Sequence, residues 1–410
     1  MEETLEQKCI NVLSQKFHER PITCTQIKPE LLQQIYDRLG PDLDPFDMAR
    51  HVVSERYWGR QERALSTATS TDIDSTALST TAKSSVLQAA LQRVIEADDV
   101  ERMERIELDV VVEHVFALRL VKVPLSIDLS TTLTSLKNLT SLEIELGSAG
   151  MPLPNALALG KALPSVQYLT RLSMTNCCLS DDDIQVMKDG MKSITGSPSS
   201  CLPPGLISLD VSDNKITAGG LGLLFDMLSP PVGDGNAGHC SVLSSFVAAN
   251  NCIDEEGARF LATDILPTYT SLKHLNVNLN QLGDVGGEII LSAFWLHHNN
   301  GDGTCRRSQL QQVNLAGNGL ASKTADSLTE LLVGENGVGS LTLTSIDLSL
   351  NNLSSEDIAN IFSAIERNAS RRGDCLLQLH LQSQENYCLD EAAGRDDVAR
   401  MERCGVRVLL

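Results

Sequence analysis

The feature that most constrains the fold is an eleven-residue pattern that recurs from residue 139 onward. Its clearest copy is LISLDVSDNKI at residues 206–216, with apolar residues at positions one, four, six and eleven and an asparagine at position nine. The alternation of apolar and polar residues before the asparagine predicts a half-buried strand that ends in a turn. A buried amide is costly unless its donor and its acceptor find partners, so a regular neighbouring structure must supply them.

Eight copies of the pattern align, and they begin at residues 139, 169, 206, 243, 272, 310, 343 and 376. Six inner copies place these residues at position nine: Cys177, Asn214, Asn251, Asn280, Asn318 and Asn351. The first copy has Gly147 there and the last has Gln384, and atypical end units are typical of stacked repeat arrays. We predict that the six inner residues form a structural ladder, bonded to the backbone of their own and adjacent repeats.

The segments between the predicted strands have apolar residues at helical spacing, as in AGGLGLLFDML at residues 218–228. One strand and one full helix per repeat resembles the leucine-rich-repeat family, in its ribonuclease-inhibitor-like class, over residues 131–410. The resemblance implies an α/β horseshoe solenoid of about eight repeats. The repeats are longer than the family needs, because insertions fall between helix and next strand at residues 195–205, 229–240, 297–308 and 334–340. These insertions are either tolerated loops or a binding rim.

The predicted concave face carries few anchors for a tightly bound partner. The side chains that alternate with the core positions are small or polar, such as Arg171, Ser208, His274 and Gln312, and none is aromatic. Aromatic side chains usually dominate the affinity of protein–protein interfaces. We therefore expect weak contacts, or contacts made by an edge of the solenoid.

Residues 1–65 have a different pattern, that of short amphipathic helices broken by prolines and glycine. The segment PELLQQIYDRL…ARHVVSERYW resembles an F-box, which implies a small all-α docking domain. Its candidate docking residues are Phe17, Phe46, Tyr57, Trp58 and Arg60, and the alternative is that the aromatic ones form a small core. Residues 66–85 contain 12 Ser or Thr and predict a flexible linker. Residues 86–130 predict a helical cap on the first repeat.

Composition excludes several functional classes. The chain has 33 Lys+Arg against 53 Asp+Glu, a net charge of −20, which disfavours nucleic acid as a partner. Its 11 cysteines include no zinc-type spacing and favour a reducing compartment. The start MEETLEQKCINVL lacks a signal-peptide pattern, and no long apolar run follows, so we expect a soluble intracellular protein without membrane contact. No nucleotide-binding, metalloprotease or hydrolase motif is present, which predicts no cofactor and no enzyme activity.

The order of these parts resembles the t-complex-associated testis-expressed type of leucine-rich-repeat protein, subunit five of the nexin–dynein regulatory complex. The resemblance depends on Phe17, Pro21, Tyr57, Trp58, Arg60 and the stretch RMERIEL at residues 102–108. It implies a non-enzymatic scaffold in the axoneme of cilia and flagella, in the cytoplasm and cytoskeleton, bound to other subunits of the complex. Tubulin surfaces are acidic, so an acidic solenoid should contact microtubules only indirectly. We expect the nearly neutral residues 1–65 to supply the main anchor.

Two other functions fit parts of the sequence. An F-box leucine-rich-repeat substrate receptor of a ubiquitin ligase would use residues 28–60 to hold a Skp-type adaptor. A GTPase-activating protein of the Ran type would need an exposed arginine beside a helper asparagine, and Arg171 and Asn176 could take those roles.

Overall fold

The computed structural model describes residues 5–17, 27–40, 43–68, 81–193, 202–228, 242–294, 298–299, 305–306, 309–333, 343–368, 377–382 and 398–409. The chain divides into two compact units, Met1–Leu142 and Glu143–Leu410. The first unit is mainly helical, and the second is built from repeats of a short strand and a helix.

The described part of the first unit contains eight α-helices and one complete strand. They are α1 (Leu5–Gln15), α2 (Pro29–Arg38), α3 (Pro45–Ala49), α4 (Glu55–Ala68), α5 (Ala82–Glu96), α6 (Val100–Arg105), α7 (Leu108–Val111), β1 (Ala117–Leu120) and α8 (Leu129–Ser135). Side-chain oxygens at the residues before four of these helices accept backbone N–H groups of the first turn: Asp44, Thr81, Asp99 and Asp128. These caps fix where α3, α5, α6 and α8 begin.

A core of aromatic and aliphatic side chains holds the first unit together. Phe17 and Trp58 have no exposed area, and the indole N–H of Trp58 donates to the backbone carbonyl of Val52 at 2.9 Å. The same core includes Val86 and Leu87 of α5. The sequence predicted a domain at residues 1–65, a linker at 66–85 and a separate cap at 86–130. In the structure, the first residues of that cap pack in the same core as residues 1–65.

The predicted linker differs from the structure at both of its ends. Helix α4 continues to Ala68, and α5 begins at Ala82, where Thr81 caps it and Ser84 is buried. Serine and threonine serve equally as linker residues and as helix caps, so composition alone misplaced this boundary. Residues 69–80 lie outside the described residues.

The second unit alternates short strands with helices. The strands are β2 (Ser141–Glu145), which begins at the end of the first unit, β3 (Arg171–Thr175), β4 (Ser208–Asp210), β5 (Ser245–Val247), β6 (His274–Asn276), β7 (His298–Asn299), β8 (Cys305–Arg306), β9 (Gln312–Asn314), β10 (Ser345–Asp347), β11 (Leu377–His380) and β12 (Val406–Leu409). The helices are α9 (Leu153–Ala162), α10 (Asp181–Lys192), α11 (Ala218–Leu228), α12 (Glu255–Phe260), α13 (Leu266–Thr268), α14 (Gly283–Ser292), α15 (Ser322–Val333) and α16 (Ser355–Asn368). A π-helical segment, Leu261–Ile265, joins α12 to α13.

The strands of the repeats lie side by side in chain order and run parallel to one another. The register is constant: Leu209 of β4 pairs with Leu172 on one side and Phe246 on the other. In the three-residue strands β4, β5, β6, β9 and β10 the central residue is buried, and its neighbours point to the other face of the sheet. The predicted fold class, an α/β solenoid of strand–helix repeats preceded by an all-α region, is confirmed.

Two strands of the parallel sheet were not predicted. β1 lies within the residues predicted to form a helical cap, and β12 pairs in parallel with β11, with Val408 opposite Leu379. No asparagine marks either strand, so the search for the repeated pattern could not find them. Of the four predicted insertions, the structure describes only residues 202–205 and the antiparallel pair formed by β7 and β8. The rest of the insertions, and Gln384, lie outside the described residues.

Candidate functional site

The ladder residues lie at equivalent turns that directly follow the strands. In Asn318, the side-chain nitrogen donates to Val277 O of the preceding repeat at 2.9 Å and to Leu315 O of its own turn at 3.1 Å. Its side-chain oxygen accepts the N–H of Leu282, again in the preceding repeat, at 3.4 Å. This single side-chain amide therefore bonds to the backbone of its own turn and connects that turn to the preceding repeat.

The other four asparagines make equivalent bonds. The carbonyls that they reach in the preceding repeat are Met174 for Asn214, Val211 for Asn251, Ala248 for Asn280 and Leu315 for Asn351, at 2.8–3.0 Å. All five asparagines are buried. Because their donors and acceptors are engaged within the fold, the ladder holds the repeats in register rather than binding a ligand.

Cys177 occupies the ladder position of the repeat that begins with β3. Its thiol donates to Ile144 O at 3.3 Å and to Thr175 O at 3.2 Å. Burial raises the pKa of Cys177 to about 11, and the thiolate is the reactive form of cysteine. This residue therefore acts as a donor in the ladder and not as a nucleophile near neutral pH.

The residue before each ladder position adopts a left-handed backbone, with positive φ values between 49° and 64°. These residues are Asn176, Asp213, Asn250, Leu279, Gly317 and Leu350. In this conformation their N–H groups point to the next repeat: Leu279 donates to Ala316 O at 2.8 Å, and Leu350 donates to Gln382 O at 2.8 Å. Sequence analysis missed this row, although the recurrence of Asn, Asp and Gly before the ladder position was a usable signal.

A second set of bonds connects neighbouring repeats at the starts of helices. The carboxylate of Asp284, in α14, accepts the N–H groups of Ala321, Lys323 and Thr324 at 2.9–3.0 Å and so caps α15 of the following repeat. Burial favours a higher pKa for Asp284, but these donated N–H groups outweigh it and lower the pKa below the ordinary aspartate value. Asp181 of α10 bonds in the same way to Thr217, before α11. No sequence pattern indicated these caps between repeats.

We call the surface made by these turns and the first helical turns after them the turn edge; it comprises residues 176–183, 213–219, 250–256, 279–285, 317–324 and 350–357. It contains an open cleft of about 560 Å³, and the cleft is bordered by Asn176, Cys178, Asp213, Lys215, Asn250 and Cys252, among others. No group of three or more metal-binding side chains occurs among the described residues.

Side chains on the polar face of the sheet form hydrogen bonds with backbone groups two residues further along the chain. Asp210 accepts the N–H of Ser212 at 2.9 Å, and Asp347 accepts the N–H of Ser349 at 2.9 Å. Arg171 begins β3, whereas Asn176 follows the end of that strand. Five residues of extended chain separate the two Cα atoms by about 16 Å, which argues against their acting together on one phosphate group.

The structure places most of the candidate docking residues of the first unit in its core. Phe17, Tyr57 and Trp58 are at most 1% exposed, so these three side chains present no surface to a partner. Phe46 is partly buried beneath the guanidinium of Arg102. Arg60 donates to Tyr36 O at 2.7 Å and supports the core from its edge. Phe17, Tyr57 and Trp58 are thus core residues of the first unit, and Phe46 packs against that core.

Comparison with known proteins identifies the repeat type. A family model described as Leucine Rich repeat matches residues 206–225, 270–290 and 339–362, each of which contains a strand, a ladder turn and the start of a helix. The repeats are leucine-rich repeats. No curated protein matches the chain.

Two solved structures are similar to parts of this chain. One is an internalin from Listeria monocytogenes, with 18% identity and a TM-score of 0.33, covering 60% of this chain and 59% of its own. The other is the TLR13–ssRNA13 complex, with 13% identity and a TM-score of 0.32, covering 68% of this chain and 37% of its own. The chain thus spans less than two thirds of the length of either protein. Among the described residues, no helix combines the length and apolar character needed to span a membrane.

Proposed function

We propose that this leucine-rich-repeat protein is a non-enzymatic scaffold subunit of the axonemal nexin–dynein regulatory complex. In that role it would link doublet microtubules and regulate dynein-driven motility of cilia and flagella. The order of parts in the sequence supports this proposal, as does the distinctive stretch at residues 102–108.

The observation that carries the scaffold function is the double connection between neighbouring leucine-rich repeats. Ladder amides bond back to the preceding repeat, and carboxylates such as Asp284 bond forward to the next helix. These groups are engaged in holding the array in shape, which leaves its extended surfaces free for partners. The net charge of −20 favours neutral or basic protein partners and an indirect contact with microtubules.

Fractionation of the endogenous protein tests this proposal. We expect it in the axonemal fraction, released together with other subunits of the inter-doublet link when the salt concentration is raised. Recovery of the protein entirely in the cytosolic fraction would contradict the axonemal function.

A test of the proposed anchor in residues 1–65 requires substitutions at its surface rather than deletion of these residues. Because Val86 and Leu87 share a core with Trp58, deletion of residues 1–65 would expose that core. Val53 is 69% exposed, so Val53→Asp should release the protein from the axonemal fraction without unfolding it. Ile207→Asp is the matched control, because Ile207 lies in the second unit and is 46% exposed. This variant should remain in the axonemal fraction.

A second candidate function is that of an F-box substrate receptor of a ubiquitin ligase. It is favoured by the presence of α2, α3 and α4 in the F-box-like segment and by the exposure of Val53 between α3 and α4. Stoichiometric co-purification with a Skp-type adaptor, lost in Val53→Asp, would establish this function. Absence of the adaptor from the purified protein would exclude it.

A further inference from the structure

Two leucines on the turn edge combine an unfavourable backbone with solvent exposure. Leu279 and Leu350 have φ values of 54° and 57°, and their side chains are 47% and 54% exposed. A left-handed backbone is unfavourable for a leucine, and asparagine tolerates it far better. Asn176 and Asn250 stand at the same position in other repeats, so asparagine fits this turn.

Gly317 separates the two leucines in the row and leaves room for one of them. A Cβ atom at Gly317 would lie 2.7 Å from Cδ2 of Leu279, so the Leu279 side chain extends over the glycine. Since β6, β9 and β10 are adjacent strands, Leu279 and Leu350 lie two strand spacings apart, about 9.6 Å. The three residues form an apolar patch, which we call the leucine patch.

Acidic residues lie at the starts of the helices beside the leucine patch. Asp254, Glu256 and Glu356 are exposed at helix caps or first turns, and Asp284 is half-buried, with its carboxylate engaged in capping α15. Glu255 is paired with Arg259, and Asp357 is buried. Lys323 is the only basic residue in the first turns of α12, α14, α15 and α16, all of which the structure describes. This surface therefore attracts cationic groups and repels anionic ones.

We propose that the leucine patch binds a basic segment of a partner protein, one that carries two apolar side chains and adopts the polyproline II conformation. In that conformation, residues three apart lie on the same side of the chain and about 9.3 Å apart, which matches the spacing of Leu279 and Leu350. The acidic helix starts select the basic residues of the segment, and the leucines take its apolar side chains. This proposal rests on the scaffold function and specifies the partner that one of its surfaces takes.

A defined peptide tests the proposal on the purified full-length chain. The probe is a fluorescent proline- and lysine-rich peptide with two leucines three positions apart, and binding is followed by fluorescence anisotropy. Leu279→Asn combined with Leu350→Asn should weaken binding about tenfold or more, because the variant removes the apolar surface that the peptide's leucines bury. The thermal unfolding temperature of this variant should be unchanged or higher, because asparagine suits the left-handed turn.

Three controls separate the leucine patch from general charge attraction. A peptide with serine in place of both leucines should bind weakly, a peptide with glutamate in place of lysine should not bind, and Ile207→Asn should bind the original peptide normally. Equal binding by the parent and the double variant would overturn the proposal, as would a lack of binding by the parent. Peptide binding and axonemal fractionation are independent measurements, so the leucine patch and the scaffold function can fail separately.

Discussion

The two units of this protein are stabilised in different ways. In the first unit, single contacts between residues far apart in sequence hold the helices, such as the bond from Arg60 to Tyr36 and that from Gln61 to Gly40. In the second unit, the same bonds recur at each turn, from Asn214 to Asn351. A contact that occurs once leaves no pattern in the sequence, whereas a repeated contact leaves a period. The first unit should therefore depend strongly on individual residues, and the second should distribute its stability along the array.

The largest effect should follow from Trp58→Ala. Trp58 is fully buried in the core of the first unit, and removal of a large buried side chain costs about 3–5 kcal/mol. Denaturant unfolding followed by near-ultraviolet circular dichroism measures this loss. Tyr168→Ala is the matched control in the second unit, where Tyr168 is 64% exposed, and it should change stability little. A Trp58→Ala protein as stable as the parent would remove the contrast between the units.

A smaller loss is expected from Asn318→Leu. The substitution leaves Val277 O and the N–H of Leu282 without this side-chain partner, and we expect a total loss of about 1–3 kcal/mol. Thermal unfolding should show the loss. Cys177→Asn should be neutral or stabilising, because an amide can take the thiol's place in the ladder and accept a bond as well. Unchanged unfolding of Asn318→Leu would refute the ladder.

Gly317→Ala should cost about 1–2 kcal/mol. Gly317 has φ 64°, and a Cβ atom there would lie 2.7 Å from Leu279. Gly319→Ala is informative beside it, because Gly319 has φ 71° and the methyl group of an alanine there would have no neighbouring atom within 4 Å. If contact with Leu279 contributes, the first variant should unfold at a lower temperature than the second. Equal losses would mean that backbone strain alone is responsible.

The smallest effect, about 1 kcal/mol, is expected from Asp284→Asn, which weakens a helix cap. The pKa of Asp284 is lowered in the folded protein from its ordinary value of 3.8, so the carboxylate stabilises the fold above that pH. The contribution is lost as the pH falls through the folded-state pKa. The difference in unfolding free energy between parent and variant should therefore shrink in acid. A difference that grows as the pH falls would contradict the assigned cap.

The sequence was informative where it was periodic. Position nine of the pattern located Asn214, Asn280 and the other ladder residues, and the alternation of apolar and polar residues located the buried residues of the repeat strands. The left-handed backbone of the residues before position nine could have been predicted from the recurrence of Asn, Asp and Gly there. Leu279 and Leu350 obscure this pattern, because leucine rarely adopts that conformation. Asp284 had no recognisable signal, since its partners lie in the next repeat and only folding brings them together.

The first unit shows the limit of inference without a period. The apolar pattern predicted amphipathic helices, and it found the aromatic residues. It could not decide whether Tyr57 and Trp58 face a partner or a core, because an aromatic residue serves both roles. That choice depends on α5, whose Val86 and Leu87 complete the core. A serine- and threonine-rich stretch separates these residues from Trp58 in the sequence.

The direction of the ladder bonds has a consequence for how such an array can lengthen. Each asparagine bonds only to backbone groups, those of its own turn and of the repeat before it, and any repeat offers such groups whatever its side chains are. A duplicated repeat added after the last one would therefore bring its own connection and require no change in its predecessor. At the other end, position nine of the first copy is Gly147, which has no side chain to satisfy. The ladder of side chains thus begins at Cys177 of the second copy, and gene duplication can extend it from the carboxyl side.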